Sequence, residues 1–126
     1  MATIALTKDN FEQVVNGNGM VLVDFWAPWC GPCKGFAPVF EASSEKHADI
    51  VFGKVNTDEE QDLAASFNIR SIPTLMFFRE NVILFSQAGA LPGSALEQVI
   101  TQGRDLDMGL VHKEIADRES SPQVKA

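Results

Sequence analysis

The sequence predicts an α/β domain: a central mixed five-stranded sheet flanked by helices on both faces. Three observations carry that expectation. Strand-like and helix-like patterns alternate along most of the chain. Residues 20–26 are nearly continuous apolar sequence, the mark of a strand covered on both faces. Two short apolar runs, 74–78 and 82–85, flank a turn signal and add an antiparallel pair to an otherwise alternating βα order. The chain has 126 residues, enough for one domain with a real core and no metal or disulfide framework.

In chain order, residues 3–6 read as a short strand, and Thr7 as the N-cap of a helix carrying Phe11, Val14 and Val15. Asn16, Gly17, Asn18 and Gly19 close that helix. After the apolar strand 20–26, a helical pattern starts at Pro32, whose missing N–H is not needed in a first turn. Phe36, Val39 and Phe40 share its inner face, and Pro38 lies inside it, where a kink is expected. Residues 50–56 read as the third strand. Asp58, Glu59, Glu60 and Asp62 then open a helix with Leu63, Ala64 and Phe67, the acids reading as a complement to its dipole rather than a ligand site. In the hairpin turn Arg79-Glu80-Asn81, Asn81 is the residue best able to take a positive φ. A last helix spans 93–102, with Leu96, Val99 and Ile100 inward.

Composition excludes several functions. The apolar share is 45%, charged residues are 21% and the formal net charge is −7, so no basic surface is expected for nucleic acid or an anionic membrane. No apolar run approaches the roughly 20 residues that span a bilayer. The first residues lack the basic start and long apolar centre of a signal peptide, from which a cytoplasmic location is expected. There is no glycine-rich phosphate loop, Ser-His-Asp set or nucleotide fingerprint. His47 and His112 read as silent surface residues, and Trp26 and the phenylalanines as core.

The two cysteines, Cys30 and Cys33, are the chain's whole complement. A structural staple is a poor reading, because the loop they close holds only Gly31 and Pro32 and would constrain little of the unfolded chain. A zinc site is a poor reading too, because it needs about four ligands and the two histidines lie far apart. The spacing points instead to a dithiol that cycles with its disulfide. Asp24 is the second oddity: it interrupts a strand buried on both faces, where an unpartnered carboxylate is expensive. A satisfied structural aspartate is the plain alternative to a functional one.

Asp24-Phe25-Trp26-Ala27-Pro28-Trp29-Cys30-Gly31-Pro32-Cys33-Lys34, Pro38, Lys54-Val55-Asn56, Asp58, Ile72-Pro73-Thr74 and Gly89-Ala90 together resemble the thioredoxin family in order and spacing. The resemblance covers roughly residues 3–103 and departs from the family at few places. Gly35 stands where a larger helix former is usual, at a cost of up to about 1 kcal/mol. Glu80-Asn81 replaces an Asn-Gly-like turn, and the chain runs on beyond residue 104.

The resemblance implies a thioredoxin fold and a protein disulfide reductase with Cys30 and Cys33 as its redox centre. Cys30 is the expected nucleophile, because a cysteine at a helix N-terminus has free backbone N–H groups and the positive dipole end to stabilise its thiolate. Cys33 resolves the mixed disulfide. Asp24 is expected to accept a proton from Cys33, with Lys54 beside it tuning its charge; a merely exposed lysine is the alternative. Pro73 is expected to be cis and to face the dithiol. Trp29, Ile72, Gly89 and Ala90, with Gly31 and Pro32, are expected to form the rim that holds an extended target peptide.

The same resemblance implies no bound cofactor and no metal, electrons from a separate thioredoxin reductase, disulfide-containing target proteins as substrates, and a monomer. The rivals are an oxidase or isomerase on the same fold, against which Gly31-Pro32 argues, and a binding scaffold or chaperone in which redox turnover is incidental. The domain boundaries expected are 1–105 for the redox domain and 106–126 for an extension. Leu106, Leu110, Val111 and Ile115 fall at helical spacings that would make one apolar face of a short extra helix. Residues 119–126 have little to bury and are expected to be disordered.

Overall fold

The computed structural model describes residues 2–120. Its order is β1 Thr3–Ala5, α1 Phe11–Gly17, β2 Met20–Trp26, α2 Gly31–Lys46, β3 Val51–Asn56, α3 Gln61–Ser66, β4 Thr74–Arg79, β5 Val82–Ala88, α4 Gly93–Asp105 and α5 Met108–Ser120. The strands form one sheet in the order β1-β3-β2-β4-β5. β3 runs parallel to β1 and β2, and β4 runs antiparallel to β2 and β5. The expected mixed five-stranded sheet is therefore present.

Alternation along β2 divides the core into two layers, because successive side chains of a strand point to opposite faces. Val21, Val23 and Phe25 pack with Phe11 and Val15 of α1 and with Leu63 and Phe67 beside α3. Leu22 points the other way, onto Phe36 and Phe40 of α2 and Leu96 and Ile100 of α4. Asp24 has the parity of Leu22 and so lies under α2. Pro38 stands inside α2, where it leaves the Lys34 carbonyl without its intrahelical donor.

Several boundaries differ from the sequence reading, each for a local reason. Regular helix in α1 begins at Phe11, yet Thr7 still caps the approach to it. Its Oγ1 accepts from the Asp9 N–H at 3.2 Å, and the Asn10 Oδ1 accepts from the Thr7 N–H at 2.7 Å, a reciprocal pair with the geometry of a capping box. Only Asp62 of the acidic group lies in the first turn of α3. Asp58 and Glu59 precede that helix, and Glu60 turns its Oε1 to the Lys8 N–H at 2.7 Å.

The β4–β5 loop has two residues, and both Glu80 (φ 51°) and Asn81 (φ 65°) are left-handed, as the twist-matched two-residue turn requires. One extra residue on β5, Leu84, lies in a bulge where the register shifts between Phe77 and Phe78. α4 continues past Gln102 because Gly103 is not a stop there. It lies against the Phe77 ring, which a side chain at that position would strike.

His47, expected at the surface, is half-buried and bonded through both ring nitrogens. Its ring lies 2.7 Å from Glu97 and 3.0 Å from Arg104. Arginine only donates, so Nδ1 accepts from Arg104 and Nε2–H donates to Glu97. Ser43 donates to the other Glu97 oxygen at 2.6 Å, and α2 is thereby tied to α4.

Within the expected extension, Met108–Ser120 form a helix, α5, and the segment leading into it is bonded to the rest of the fold. Nη1 of Arg79 donates to the carbonyls of Gly103, Arg104 and Leu106, each at 2.9 Å, satisfying carbonyls that a helix end would otherwise leave bare. His112 lies 2.8 Å from Glu80 at the hairpin turn. The expected apolar face is only partly right. Val111 and Ile115 are half-buried, Leu106 precedes the helix, and Leu110 is 64% exposed. The anchor is Met108, 6% exposed. Of the segment expected to be disordered, Glu119 and Ser120 close α5; residues 121–126 lie outside those described.

Met108→Ala should therefore lower the unfolding free energy by about 2 kcal/mol, whereas Leu110→Ala should change it by less than about 0.5 kcal/mol. Urea melts of the two variants compare them directly. Equal, small effects would mean that α5 is not anchored through Met108.

Candidate active site

β2 ends at Trp26 against the Thr57 N–H, which donates to the Trp26 carbonyl at 2.8 Å. The chain then turns through Ala27, Pro28 and Trp29 into α2. Cys30 is the N-cap of that helix, with Pro32 in its first turn. Cys30 and Cys33 form a disulfide with their Cα atoms 5.2 Å apart, and both residues are buried, at 4% and 2% exposure. The Cys33 N–H donates to the Cys30 sulfur at 3.2 Å. A thiolate on Cys30 thus has a backbone donor in place and the helix dipole behind it, both of which favour its charge. Cys33 sits one turn inside the helix with no such vacancy.

The other residues singled out from sequence surround this pair unevenly. The Ile72–Pro73 peptide is cis, and the Ile72 carbonyl oxygen lies 3.7 Å from the Cys30 sulfur. Ile72 is half-buried and packs, with Trp26, on the cluster formed by Ala27, Cys30 and Cys33. Pro73 is buried and its carbonyl accepts from the Gly89 N–H at 2.8 Å. Gly89 has φ 108°, which L side chains rarely adopt. Trp29, Gly31, Pro32, Gly89 and Ala90 are all exposed, Trp29 at 68%.

One partner was not legible. The Trp29 indole N–H donates to both oxygens of Asp58, at 3.2 and 3.0 Å. An acid in a cluster ahead of α3 gives no sequence signal that it will reach back 29 positions to orient an exposed ring.

Asp24 is fully buried, and both carboxylate oxygens lack a hydrogen-bond partner. No protein side chain or backbone group among the described residues satisfies it, in contrast to the satisfied structural aspartate weighed above. Burial lifts its pKa from 3.8 to about 7, and the nearby Lys54 charge opposes that rise. Lys54 is the register partner of Asp24 across β2 and β3. Its Nζ lies over the Trp26 ring, 4.7 Å from the centroid. Among the described residues, no group of three or more His, Cys, Asp or Glu side chains could hold a metal ion, and no helix is long and apolar enough to cross a membrane.

A buried cysteine pair at a helix N-terminus, against a cis-proline carbonyl segment and following a strand that carries a buried acid, is an arrangement on which sequence relatives bear directly. The thioredoxin family model matches residues 2–102. The chain belongs to the thioredoxin family. A Streptomyces coelicolor protein named as a thioredoxin 2 is 54% identical over 94% of this chain and 89% of its own length. The thioredoxin of Alicyclobacillus acidocaldarius is 45% identical over 76% of this chain and 92% of its own. Among solved structures, a Plasmodium falciparum thioredoxin superposes with a TM-score of 0.73 at 36% identity, covering 79% of this chain and 97% of that one. A Halobacterium salinarum thioredoxin mutant gives 0.76 at 31% identity, covering 83% and 92%. With this fold and a Cys30–Cys33 pair at disulfide distance, the chain is a thioredoxin-type protein disulfide reductase.

The buried carboxyl makes stability pH-dependent. In the unfolded chain Asp24 titrates near 3.8 and in the fold near 7, so between those values the folded state holds the extra proton. Stability must then fall as pH rises through that window and level off above it. The full difference has a ceiling of about 4 kcal/mol, part of which an alanine's cavity takes back. Asp24→Ala should accordingly be about 2 kcal/mol more stable than the parent at pH 8, with the advantage gone near pH 4. Urea melts across that range test it, and a variant clearly less stable at pH 8 would overturn the reading.

Proposed function

We propose that this thioredoxin reduces protein disulfides through Cys30 as nucleophile, Cys33 as resolving thiol and Asp24 as the acceptor of the Cys33 proton. The observation that carries the assignment is the asymmetry of the pair. Cys30 is at the N-cap with the Cys33 N–H on its sulfur, and Cys33 lies deeper, on the α2 side of the sheet where Asp24 is buried.

In the first step the Cys30 thiolate attacks one sulfur of a target disulfide. The Cys30–target bond forms, the target S–S bond breaks, and one target thiolate leaves. Cys33 then gives its proton to Asp24 and attacks the Cys30 sulfur. The Cys30–Cys33 bond forms, the mixed disulfide breaks, and the second target thiolate leaves. An acid lifted to about 7 is suited to this step, because proton exchange is best matched when the acceptor's pKa lies near the working pH. Two electrons have passed to the target, and a separate dithiol, that of a reductase, must return them. No bound cofactor enters the cycle.

Trp29, Gly31, Pro32, Ile72, Gly89 and Ala90 form the target-binding rim in this reading. Its support is that five of the six are exposed around a nearly buried sulfur, while Pro73 fixes the segment beside it. Such a surface holds an extended peptide by its backbone and reads few side chains. Lys54 moderates the charge of Asp24. The redox domain is residues 1–105, the remaining 106–126 are an extension outside the chemistry, and the protein works as a cytoplasmic monomer.

Cys30→Ser should abolish reduction, whereas Cys33→Ser should still attack and then stall as a mixed disulfide, visible as an intact mass adduct. A stable adduct on Cys33 in the Cys30→Ser protein would reverse the two roles. A chain ending at Asp105 should keep turnover within a factor of about two, because among the described residues the groups packed on the dithiol are Ala27, Trp26 and Ile72, all within it. Loss of most turnover in a truncated chain still folded by circular dichroism would make the extension part of the working surface.

A further inference from the structure

Trp26 reads as core, yet it is only half-buried, at the end of β2. Asp24, two residues earlier on that strand, and Lys54, the register partner of Asp24 on β3, share its face of the sheet. A lysine directly across from an aspartate ordinarily closes into an ion pair. Here the Lys54 ammonium is 4.7 Å from the Trp26 ring centroid, within cation–π range, and both Asp24 oxygens remain without a partner. The lysine stem therefore runs along the sheet to the ring instead of across to the carboxylate.

We propose that Trp26 is a positioning residue for disulfide exchange: its ring holds the Lys54 ammonium at a stand-off from Asp24 and so keeps that carboxyl unpaired and free to take a proton. The catalytic purpose rests on Asp24 being the acceptor of the Cys33 proton. An ammonium in contact with a carboxylate favours its charged form and would return the acid toward its ordinary range, where it binds no proton at neutral pH. Held on the ring, the same ammonium offsets only part of the effect of burial. The ring position also keeps it at a cavity of about 310 Å³ lined by Trp26, Lys54, Asn56, Glu41 and the chain around β1. Lys54 is only half-buried there, whereas pairing with Asp24 would desolvate both ions.

The charged groups facing that ammonium are Asp24 from β2, Glu41 from α2, and Glu59 and Glu60 from the turn ahead of α3; β4 contributes the apolar Leu75 opposite Asp24. Oε1 of Glu60 is occupied by the Lys8 N–H and Oε1 of Glu41 by the Thr3 hydroxyl, at 2.5 Å. Oε2 of Glu41 is buried without a partner, which makes Glu41 the rival acceptor for a displaced ammonium.

The test uses the full chain, reduced, with the Asp24 carboxyl carbon followed by NMR through a pH titration. Tryptophan analogues bearing one to four ring fluorines weaken the ring's attraction for a cation with little change of shape. They are incorporated in a Trp29→Phe background, which leaves Trp26 as the one indole among the two tryptophans of the chain. The Asp24 midpoint should step downward along the series, by roughly 1 pH unit at four fluorines, as an approaching ammonium requires. The acid limb of the pH profile for mixed-disulfide resolution should move with it. In Glu41→Gln the downward movement should be at least as large, and in Lys54→Met it should vanish. A midpoint that stays or rises in both the parental and Glu41→Gln backgrounds overturns the proposal, as does an undiminished shift in Lys54→Met. If Asp24→Asn resolves mixed disulfides at the parental rate and pH dependence, the acceptor reading falls separately, while the titration series still reports on the ring.

Discussion

The structure depends on one constraint: β2 has no free edge and no free face. It pairs with β3 on one side and β4 on the other, and Val21 through Phe25 are fully buried between the two helical layers. A strand held on four sides cannot slip, because a one-residue shift would exchange the two cores. Its end therefore delivers the turn to Cys30 at a fixed place above β3 and β4. The first turn of α2, the Ile72–Pro73 segment before β4 and Thr57 after β3 all meet there because the strands they follow or precede are locked to this one.

The same burial makes Asp24 both costly and useful. An isolated carboxyl in that interior shifts its proton affinity rather than staying charged, and the strand's rigidity prevents it from escaping to water. The site combines two opposite environments a short way apart. A helix end with a backbone donor favours charge on Cys30, and a dry strand disfavours charge on Asp24. Separating the affinities of two groups in this way lets one side of the pair be anionic while the other still carries a proton.

The central strand, the redox pair, the odd aspartate and the order of elements were legible in the sequence, because each leaves a local mark: an unbroken apolar run, a cysteine spacing, a charge where none belongs. The cis Ile72–Pro73 bond was legible only through family resemblance, since proline alone gives little reason for it. What was hidden depends on partners distant in the chain. Nothing local says that Trp29 will bond to Asp58, that His47 will bridge Glu97 and Arg104, or that Arg79 will gather three carbonyls at the end of α4. The last helix also runs beyond the expected 93–102, through Gly103 to Asp105. A glycine late in a helix reads as a terminator, and only the Phe77 ring beneath it explains why the helix goes on.

The β4–β5 hairpin works as a counting device. Its two-residue turn pairs Arg79 with Val82, and were the ladder regular from there, Gln87 would stand opposite Thr74 and Ala88 would reach Pro73. The extra residue, Leu84, delays the count by one, so Ala88 faces Thr74 and the Gly89 N–H reaches the Pro73 carbonyl. That delay matters because the position demands φ 108°, which glycine accepts and alanine resists. A single-residue offset at the remote end of a hairpin thus decides which kind of residue is bonded to the Pro73 carbonyl, one residue from the Ile72 carbonyl that lies 3.7 Å from the Cys30 sulfur. Insertions or deletions between Phe77 and Ala88 accordingly change which residue meets the cis-proline segment.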